Sequence, residues 1–294
     1  MQEVKKRPKI SLIVESLSQL EKAYVDLKKN LSLGKEEFIS NKLIQDKVRV
    51  DFNLAFESCM RVCRHLSAVY NVKTTSKDCL QKIGELVGIK EIEALGEFTS
   101  FYIKHRDLRE SLPAEELYEF LSKNLYLFKE YAKAVVEFVK RETNNPLLID
   151  FDLLNEKAGR IKESLKKINF VLSQGEEEFS KNPMYYDRVK YFYQVAYDSL
   201  FDICKHLAPK FGIKKFGDDC LSKMVEVGVI PQEYYMDVFK MTNLKNKLIS
   251  TWEVEPRELY KSLLEIQEKI EPVMKEIANS LSSLEIPLSF QPFR

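Results

Sequence analysis

Residues 32–41 read SLGKEEFISN, and residues 173–182 read SQGEEEFSKN, so one short pattern returns after a shift of 141 positions. The same shift aligns two further pairs of stretches: CRHL (63–66) with CKHL (204–207), and VKTTSKDCLQKIGE (72–85) with IKKFGDDCLSKMVE (213–226). Self-similarity at a fixed distance indicates a repeated structural unit. We therefore expect both halves of the chain to share one ancestral fold.

Apolar residues in both halves recur at spacings that alternate between four and three, which places one apolar stripe on an amphipathic helix. The two stripes are Ile13, Leu17, Leu20, Tyr24, Leu27 and Leu31, and Leu154, Ala158, Ile161, Leu165, Ile168 and Leu172. Only 9 glycines and 10 prolines interrupt 294 residues, which favours long helices. The patterns predict helices over residues 9–31, 44–70, 76–87, 91–108, 114–140, 151–172, 186–210, 217–227, 231–249 and 256–283.

No stretch keeps a strand period for long, so the chain is predicted to be all-α. We expect two tandem antiparallel helical bundles of four to five helices each, related by pseudo-two-fold symmetry. Residues 141–150, RETNNPLLID, contain an Asn-Asn-Pro helix break and form the predicted junction. The predicted bundles cover residues 1–143 and 144–294.

The bulk composition narrows the class of partner. The 46 Lys and Arg residues nearly balance the 45 Asp and Glu residues, so the net charge is +1 and no global field recruits nucleic acid or membrane. No run approaches the roughly 20 apolar residues of a membrane span, so we expect no membrane partner. Five cysteines are an odd number without the density of a disulfide scaffold, which favours reduced thiols in the cytoplasm.

Cys63-x-His65 and Cys204-x-His206 recur in both halves and resemble pieces of a zinc site. Two residues apart on a helix, these side chains point in very different directions, which is poor geometry for shared ligation. We therefore predict small buried cysteines and hydrogen-bonded histidines rather than a metal. The sequence also lacks a phosphate-cradling glycine loop, a nucleophile elbow and an HExxH motif, so no cofactor is expected.

The most distinctive segment, residues 228–263, reads GVIPQEYYMDVFKMTNLKNKLISTWEVEPRELYKSL. In its helical context it resembles the HEPN superfamily, specifically the HepT-like proteins, and the resemblance extends over the chain as two tandem copies. The resemblance implies a relationship to metal-independent ribonucleases and toxins. These proteins work as dimers in which the two motifs face each other across a cleft. The resemblance also implies an MNT-type nucleotidyltransferase partner, which silences such a toxin by adding AMP to a motif tyrosine.

The family motif is Arg-x4-His, often with Asn after the Arg and Tyr two residues after the His. Its four positions are occupied here by Lys245, Asn246, Ser250 and Trp252. Lysine keeps the positive charge but loses the planar fork. Serine lacks a pKa near working pH, and tryptophan has no hydroxyl to receive AMP. The first half has no Arg-x4-His in the equivalent stretch YIKHRDLR, residues 102–109, so both motifs are predicted to be degenerate.

We therefore expect a binding or interaction module more than an enzyme, with an MNT-type nucleotidyltransferase, RNA or another copy of the chain as partner. Two alternatives stay open. The first is a metal-independent RNA endonuclease with a composite site, in which His105 supplies proton transfer and Lys245 and Asn246 grip the phosphate. The second is the helical substrate-binding partner of a nucleotidyltransferase.

Basic residues gather at both motif regions and are candidates for phosphate or RNA binding. They are Lys104, Arg106, Arg109, Lys240, Lys245 and Lys247. The chain is expected to act as a monomeric pseudo-dimer or as a homodimer.

Overall fold

The computed structural model describes residues 7–108, 112–250 and 254–283. Within these ranges the chain forms thirteen α-helices and no strand, and 82 % of it is helical, so the all-α prediction is confirmed. The helices are α1 (Ile10–Leu31), α2 (Lys35–Ser40), α3 (Lys42–Val69), α4 (Cys79–Val87), α5 (Ile92–Leu108), α6 (Ala114–Asn124), α7 (Tyr126–Thr143), α8 (Phe151–Leu172), α9 (Glu176–Lys181), α10 (Pro183–Leu207), α11 (Cys220–Glu226), α12 (Tyr235–Ser250) and α13 (Pro256–Ser282).

The contacts divide the chain into two units, unit 1 (Met1–Leu148) and unit 2 (Ile149–Arg294), so the boundary lies inside the predicted junction. In unit 1 the long helices α1 and α3 pack side by side, and α4 contacts α3, α5 and α7. In unit 2 the long helices α8 and α10 pack in the same way, and α13 contacts α8, α9 and α12. Each unit therefore buries its apolar stripes around one long helix pair.

Side-chain caps explain where several long helices begin. The Asn41 side chain accepts a hydrogen bond from Ile44 N at 3.3 Å at the start of α3, and the Asn182 side chain accepts one from Met184 N at 3.1 Å at the start of α10. Asp150 caps α8 by accepting from Leu153 N at 3.0 Å. Such caps satisfy backbone N–H groups that have no partner inside the helix.

Three details differ from the predicted helices. The short helices α2 and α9 were not predicted, because six residues are too few to show a helical period. The predicted helix 114–140 is two helices that divide at Leu125. In unit 2, by contrast, α13 runs without interruption through Pro272.

Four of the five cysteines form disulfides, so the prediction of reduced cysteines is wrong for them. Cys63 bonds Cys79, and Cys204 bonds Cys220. The first residue of α4 lies against α3, and the first residue of α11 lies against α10. This brings the paired Cα atoms to 6.1 and 6.3 Å, within bonding range. Composition cannot show such proximity, which arises only from helix packing. Cys59 is free and buried.

The prediction that the two repeated histidines are hydrogen-bonded is confirmed. Lys9 N donates to His65 Nε2 at 2.8 Å, and Asp150 N donates to His206 Nε2 at 2.9 Å. Each histidine therefore holds the residue that immediately precedes the first long helix of its unit. Burial lowers the pKa of His206 to about 4, so its ring stays neutral and remains an acceptor at neutral pH. None of the helices within the described ranges is both long and apolar enough for a bilayer.

Candidate functional site

Helix α12 carries the motif positions of unit 2 and is anchored by four buried residues. These are Val238, Met241, Leu244 and Leu248. Their spacing of three and four turns one face of α12 into the core and leaves Asn246 and Ser250 exposed, with Lys245 at the half-buried edge. The motif side chains therefore lie at the surface of unit 2.

Lys245 lies against an aromatic ring. Its Nζ atom is 5.8 Å from the centre of the Tyr197 ring, a distance at which a cation is attracted to the ring face. The Tyr197 hydroxyl bonds Thr242 Oγ1 at 3.0 Å, and Thr242 Oγ1 in turn donates to Val238 O at 3.0 Å. Burial raises the pKa of Tyr197, so the phenol stays neutral. The ring and its hydrogen bonds fix the position at which Lys245 presents its charge.

Ser250, at the histidine position of the motif, uses its hydroxyl within its own helix. Ser250 Oγ donates to Asn246 O at 2.7 Å, which is the bond back to the preceding turn that serine often makes inside helices. No imidazole stands at this position to move a proton near neutral pH. Trp252 lies outside the described residues.

Most of the predicted phosphate-binding cations pair with carboxylates. Lys240 pairs with Glu265, Lys104 pairs with Glu116, Lys247 lies 2.8 Å from Glu258, and Arg106 lies 3.1 Å from Asp107. These pairs are exposed, and exposed pairs are worth at most about 1 kcal/mol, so an incoming phosphate competes with weak bonds. Arg109 lies outside the described residues. Among the candidates within the described ranges, Lys245 is the cation without a carboxylate partner.

His105, the proposed proton shuttle of a composite site, lies in the core of unit 1. It is 2 % exposed, and its ring packs edge-on against Phe52 with 5.2 Å between centroids. Neither Nδ1 nor Nε2 has a hydrogen-bond partner among the described residues. Burial, followed by the nearby charge of Arg49, lowers the pKa of His105 to about 4. The imidazole is therefore neutral and shielded from water at neutral pH.

Ring contacts identify which residue of unit 1 occupies the Lys245 position. Phe56 lies 141 positions before Tyr197, and the residue stacked on Phe56 is Tyr102, at 3.7 Å and 10°. Tyr102 also donates to Glu57 Oε1 at 3.1 Å, and its pKa is raised to about 12, mainly by burial. Over its ring Tyr102 thus takes the place in unit 1 that Lys245 takes in unit 2, and it lies two residues before Lys104, which the constant shift selects.

A second ring supports this register on α5. Phe52, 141 positions before Tyr193, contacts Phe98 at 5.7 Å, whereas Tyr193 donates to Met241 O at 2.7 Å. With Phe98 as the counterpart of Met241 the shift between α5 and α12 is 143 positions, as it is for Tyr102 and Lys245, although Phe52 also contacts Phe101, Tyr102 and His105. The sequence comparison placed the equivalent stretch at residues 102–109, with a register slip of one residue, because only contacts with other helices show that the difference is two residues. In this register Asp107 of unit 1 aligns with Ser250 of unit 2.

Across the described residues, no three His, Cys, Asp or Glu side chains come close enough to hold a metal ion. The cysteines of both Cys-x-His pairs are bound in disulfides, and their histidines accept backbone hydrogen bonds. The described motif positions Lys245, Asn246 and Ser250 carry a cation, an amide and a hydroxyl.

One comparison with known protein families gives a match. Residues 161–277 match the family model described as Ribonuclease HepT-like, a stretch that runs from the middle of α8 into α13 and includes α12. No curated protein and no solved structure matches the chain. Residues 161–277 are therefore similar to the HepT-like proteins of the HEPN superfamily.

Proposed function

We propose that this chain is a catalytically silent HepT-like protein that acts as a binding or interaction module. The observation that carries the proposal is the state of α12. Lys245 keeps a positive charge at the motif arginine position. Ser250, at the histidine position, donates its hydroxyl hydrogen to Asn246 O. The site attracts anions but has no group suited to move a proton near neutral pH.

Cleavage of RNA without a metal requires a base for the 2′-hydroxyl, an acid for the leaving oxygen and charge for the crowded phosphate. Lys245 and Asn246 supply charge and a polar orienting group. A serine hydroxyl is too weak an acid and too weak a base for either proton transfer at neutral pH. Binding without turnover is the chemistry that these side chains support.

The proposal extends to unit 1, which we infer to be a tandem copy of the same bundle with its motif also degenerate. Several features recur in both units at a shift of 141. They are the disulfides Cys63–Cys79 and Cys204–Cys220, the histidine bonds to Lys9 N and Asp150 N, and the positive φ of Gly34 and Gly175. Recurrence of such unrelated details supports duplication more strongly than a shared helical class does.

The outer face of α12 favours a protein as partner. Met236, Phe239 and Ile249 are 57, 46 and 58 % exposed, and they lie on the same helix as the motif. Met236 and Phe239, three residues apart, share one face of α12, whereas Ile249 lies ten residues further along the helix. Exposed apolar side chains that share a face are typical of interaction sites. We propose an MNT-type nucleotidyltransferase as this partner, with RNA as the second candidate through Lys245.

The composite ribonuclease is the alternative function, and one observation bears on it. His105 is buried beside Phe52 and held neutral, whereas a proton shuttle must reach its substrate. This burial favours the silent module over the composite enzyme.

A cytoplasmic location is also part of the proposal. Disulfides are rare in reducing compartments, so such a location requires both bonds to resist reduction. Cys63, Cys79, Cys204 and Cys220 are each at most 1 % exposed, and this burial keeps cellular thiols away from the sulfurs.

The test measures whether the chain binds RNA or a nucleotidyltransferase, and whether the RNA stays intact. Purified chain is mixed with labelled RNA in excess chelator, and separately with the purified nucleotidyltransferase candidate. The expected result is a stable complex with at least one of them and intact RNA throughout. Chelator-resistant RNA cleavage that disappears in Lys245→Ala overturns the proposal, as does failure to bind either ligand.

A further inference from the structure

A groove of about 290 Å³ lies on the surface of unit 2, lined by α8 and α10 and separate from the motif positions. Its lining residues are Glu163, Lys166, Lys167, Phe170 and Arg188. The four residues of α8 follow helical i, i+3, i+4 and i+7 spacing and so share one face. Three cations and one carboxylate give the lining a net charge of +2.

Large aromatic side chains face water beside these cations. Phe170 is 61 % exposed and Tyr191, which follows Arg188 by one turn of α10, is 60 % exposed. The Tyr191 ring contacts Phe192 at 5.2 Å, and Lys167 Nζ lies 4.7 Å from the centre of the Phe192 ring. Lys167 therefore joins the groove to a second aromatic surface. Isolated exposed rings are ordinary, but rings interleaved with cations form a platform for a flat anionic ligand.

The cations of the groove are not equally available. Lys167 Nζ already bonds Glu163 Oε1 at 2.6 Å in an exposed pair, so its charge is partly balanced. Lys166 and Arg188 form no ion pair within the described part of the chain, although the charge of Lys166, after the hydrogen bond from Lys167, helps to lower the pKa of the nearby Glu163. A guanidinium binds two phosphate oxygens at once, and Arg188 is the groove residue with that capacity.

We propose that this groove binds a nucleoside phosphate, either free or as part of a single strand. The base stacks on Phe170, and the phosphate lies between Lys166 and Arg188. Every base has a flat face, so stacking on an exposed ring and charge on the backbone give binding with little sequence preference. The inference rests on α8 and α10 alone and is independent of whether the motif of α12 cleaves RNA.

Unit 1 lacks this chemistry at the corresponding positions, 141 residues earlier. Val25 replaces Lys166, Lys29 replaces Phe170, and Lys47 replaces Arg188. Lys47 Nζ lies 3.8 Å from Asp26 Oδ2, so its charge is partly balanced. No aromatic ring stands where Phe170 stands in unit 2. The proposed site is therefore a property of unit 2, and unit 1 provides an internal control.

The experiment measures binding of AMP and of a short labelled RNA to the full chain, by calorimetry and fluorescence anisotropy respectively. The variants are Phe170→Ala, Lys166→Ala with Arg188→Ala, and the matched control Lys29→Ala with Lys47→Ala. Loss of base stacking is expected to weaken binding by about tenfold or more. The double variant of the cations is expected to weaken binding and to flatten its salt dependence. The control is expected to bind as the unaltered chain does.

The ligands distinguish the two sources of the same chemistry. Binding of AMP that is lost in Phe170→Ala identifies a free nucleotide, and binding of the RNA alone with the same loss identifies a strand. Inorganic phosphate and an acidic peptide are expected to compete poorly, because neither has a ring to stack. The proposal is overturned if neither ligand binds, if Phe170→Ala binds as well as the unaltered chain, or if phosphate competes as well as AMP. Phe170 is exposed, so unchanged thermal unfolding shows that its variant is folded.

Discussion

The ammonium group of Lys245 lies 5.8 Å from the centre of the Tyr197 ring in unit 2. In unit 1 the ring of Tyr102 stacks on Phe56 in the corresponding position. Unit 2 therefore places a cation beside this ring, and unit 1 places an aromatic stack there. The lysine of unit 2 can attract a phosphate group, whereas the stacked tyrosine of unit 1 contributes packing instead. Lys245 and Tyr102 therefore differ in chemistry although both lie against an aromatic ring.

Replacing Lys245 with Met tests the cation–ring contact. The two residues have similar helix propensity, so the change mainly removes the charge above Tyr197 and is expected to lower the free energy of unfolding by about 0.5–1 kcal/mol. Lys240→Met is the matched control on the same helix. It breaks only an exposed ion pair with Glu265 and is expected to cost less than about 0.5 kcal/mol. Equal losses in urea unfolding contradict the contact.

Replacing His105 with Leu is expected to stabilise unit 1. Both ring nitrogens are buried without partners, and such groups cost about 1–3 kcal/mol each, so an apolar side chain is favoured. Leu248 stands at the corresponding position of α12, where it is buried. We expect a gain of about 1 kcal/mol, measured by thermal and urea unfolding.

His206→Leu is the matched change in unit 2 and is expected to act in the opposite direction. It removes the acceptor of the 2.9 Å bond from Asp150 N, which costs about 1 kcal/mol or more. If both histidine variants lose stability to a similar extent, His105 has a partner that the described contacts lack.

Stability is expected to fall as the pH drops from about 6.5 to about 4. In the folded chain burial holds the pKa of His105 and His206 at about 4, below the 6.5 of an unperturbed histidine. The unfolded chain therefore binds more protons within this window, and acidification favours unfolding. The two neutral histidines make their full contribution to the free energy of unfolding above pH 6.5. Carboxylates with lowered pKa, such as Asp202 and Glu163, begin to lose their contribution below about pH 5, so the loss between pH 6.5 and about 5 is the part that reports on the histidines.

Urea midpoints measured across this window check the effect, and His105→Leu should make the dependence shallower. A midpoint that rises on acidification, or a slope unchanged in His105→Leu, is incompatible with a neutral buried His105.

The cysteine pairing predicts a simple thiol count. Unfolded without reductant, the chain should expose one thiol, that of Cys59, and after reduction it should expose five. Each bond closes a separation of 16 residues. A loop of about this size gives a stabilisation of roughly 3 kcal/mol, so reduction should lower the unfolding midpoint clearly. Five thiols in the unreduced chain mean that the native cysteines are not paired.

Much of the fold could be predicted from the sequence because the apolar residues of a long amphipathic helix recur with the helical period. The helix 151–172 was predicted at the bounds that α8 shows, and the start and end of α1 differ by at most one residue. The break at Leu125 was not predicted, because the apolar pattern of 114–140 continues through it. Short α2 and α9 fell below the length at which a period is visible.

The candidate site could be predicted only in part. Its helix and its residue types follow from the sequence, but the partners of its charges do not. Glu258 and Glu265 are on α13, and Glu116 is on α6, so packing rather than spacing brings them to Lys247, Lys240 and Lys104. The same holds for His105, whose burial depends on Phe52 of another helix.

The central claim is that α12 of unit 2 presents charge without a proton-transfer group. Single-turnover cleavage of end-labelled RNA in excess chelator tests it most directly, with the unaltered chain and Lys245→Ala measured side by side. The account predicts that both leave the RNA intact at the background rate. Cleavage by the unaltered chain that leaves cyclic phosphate ends and vanishes in Lys245→Ala contradicts it.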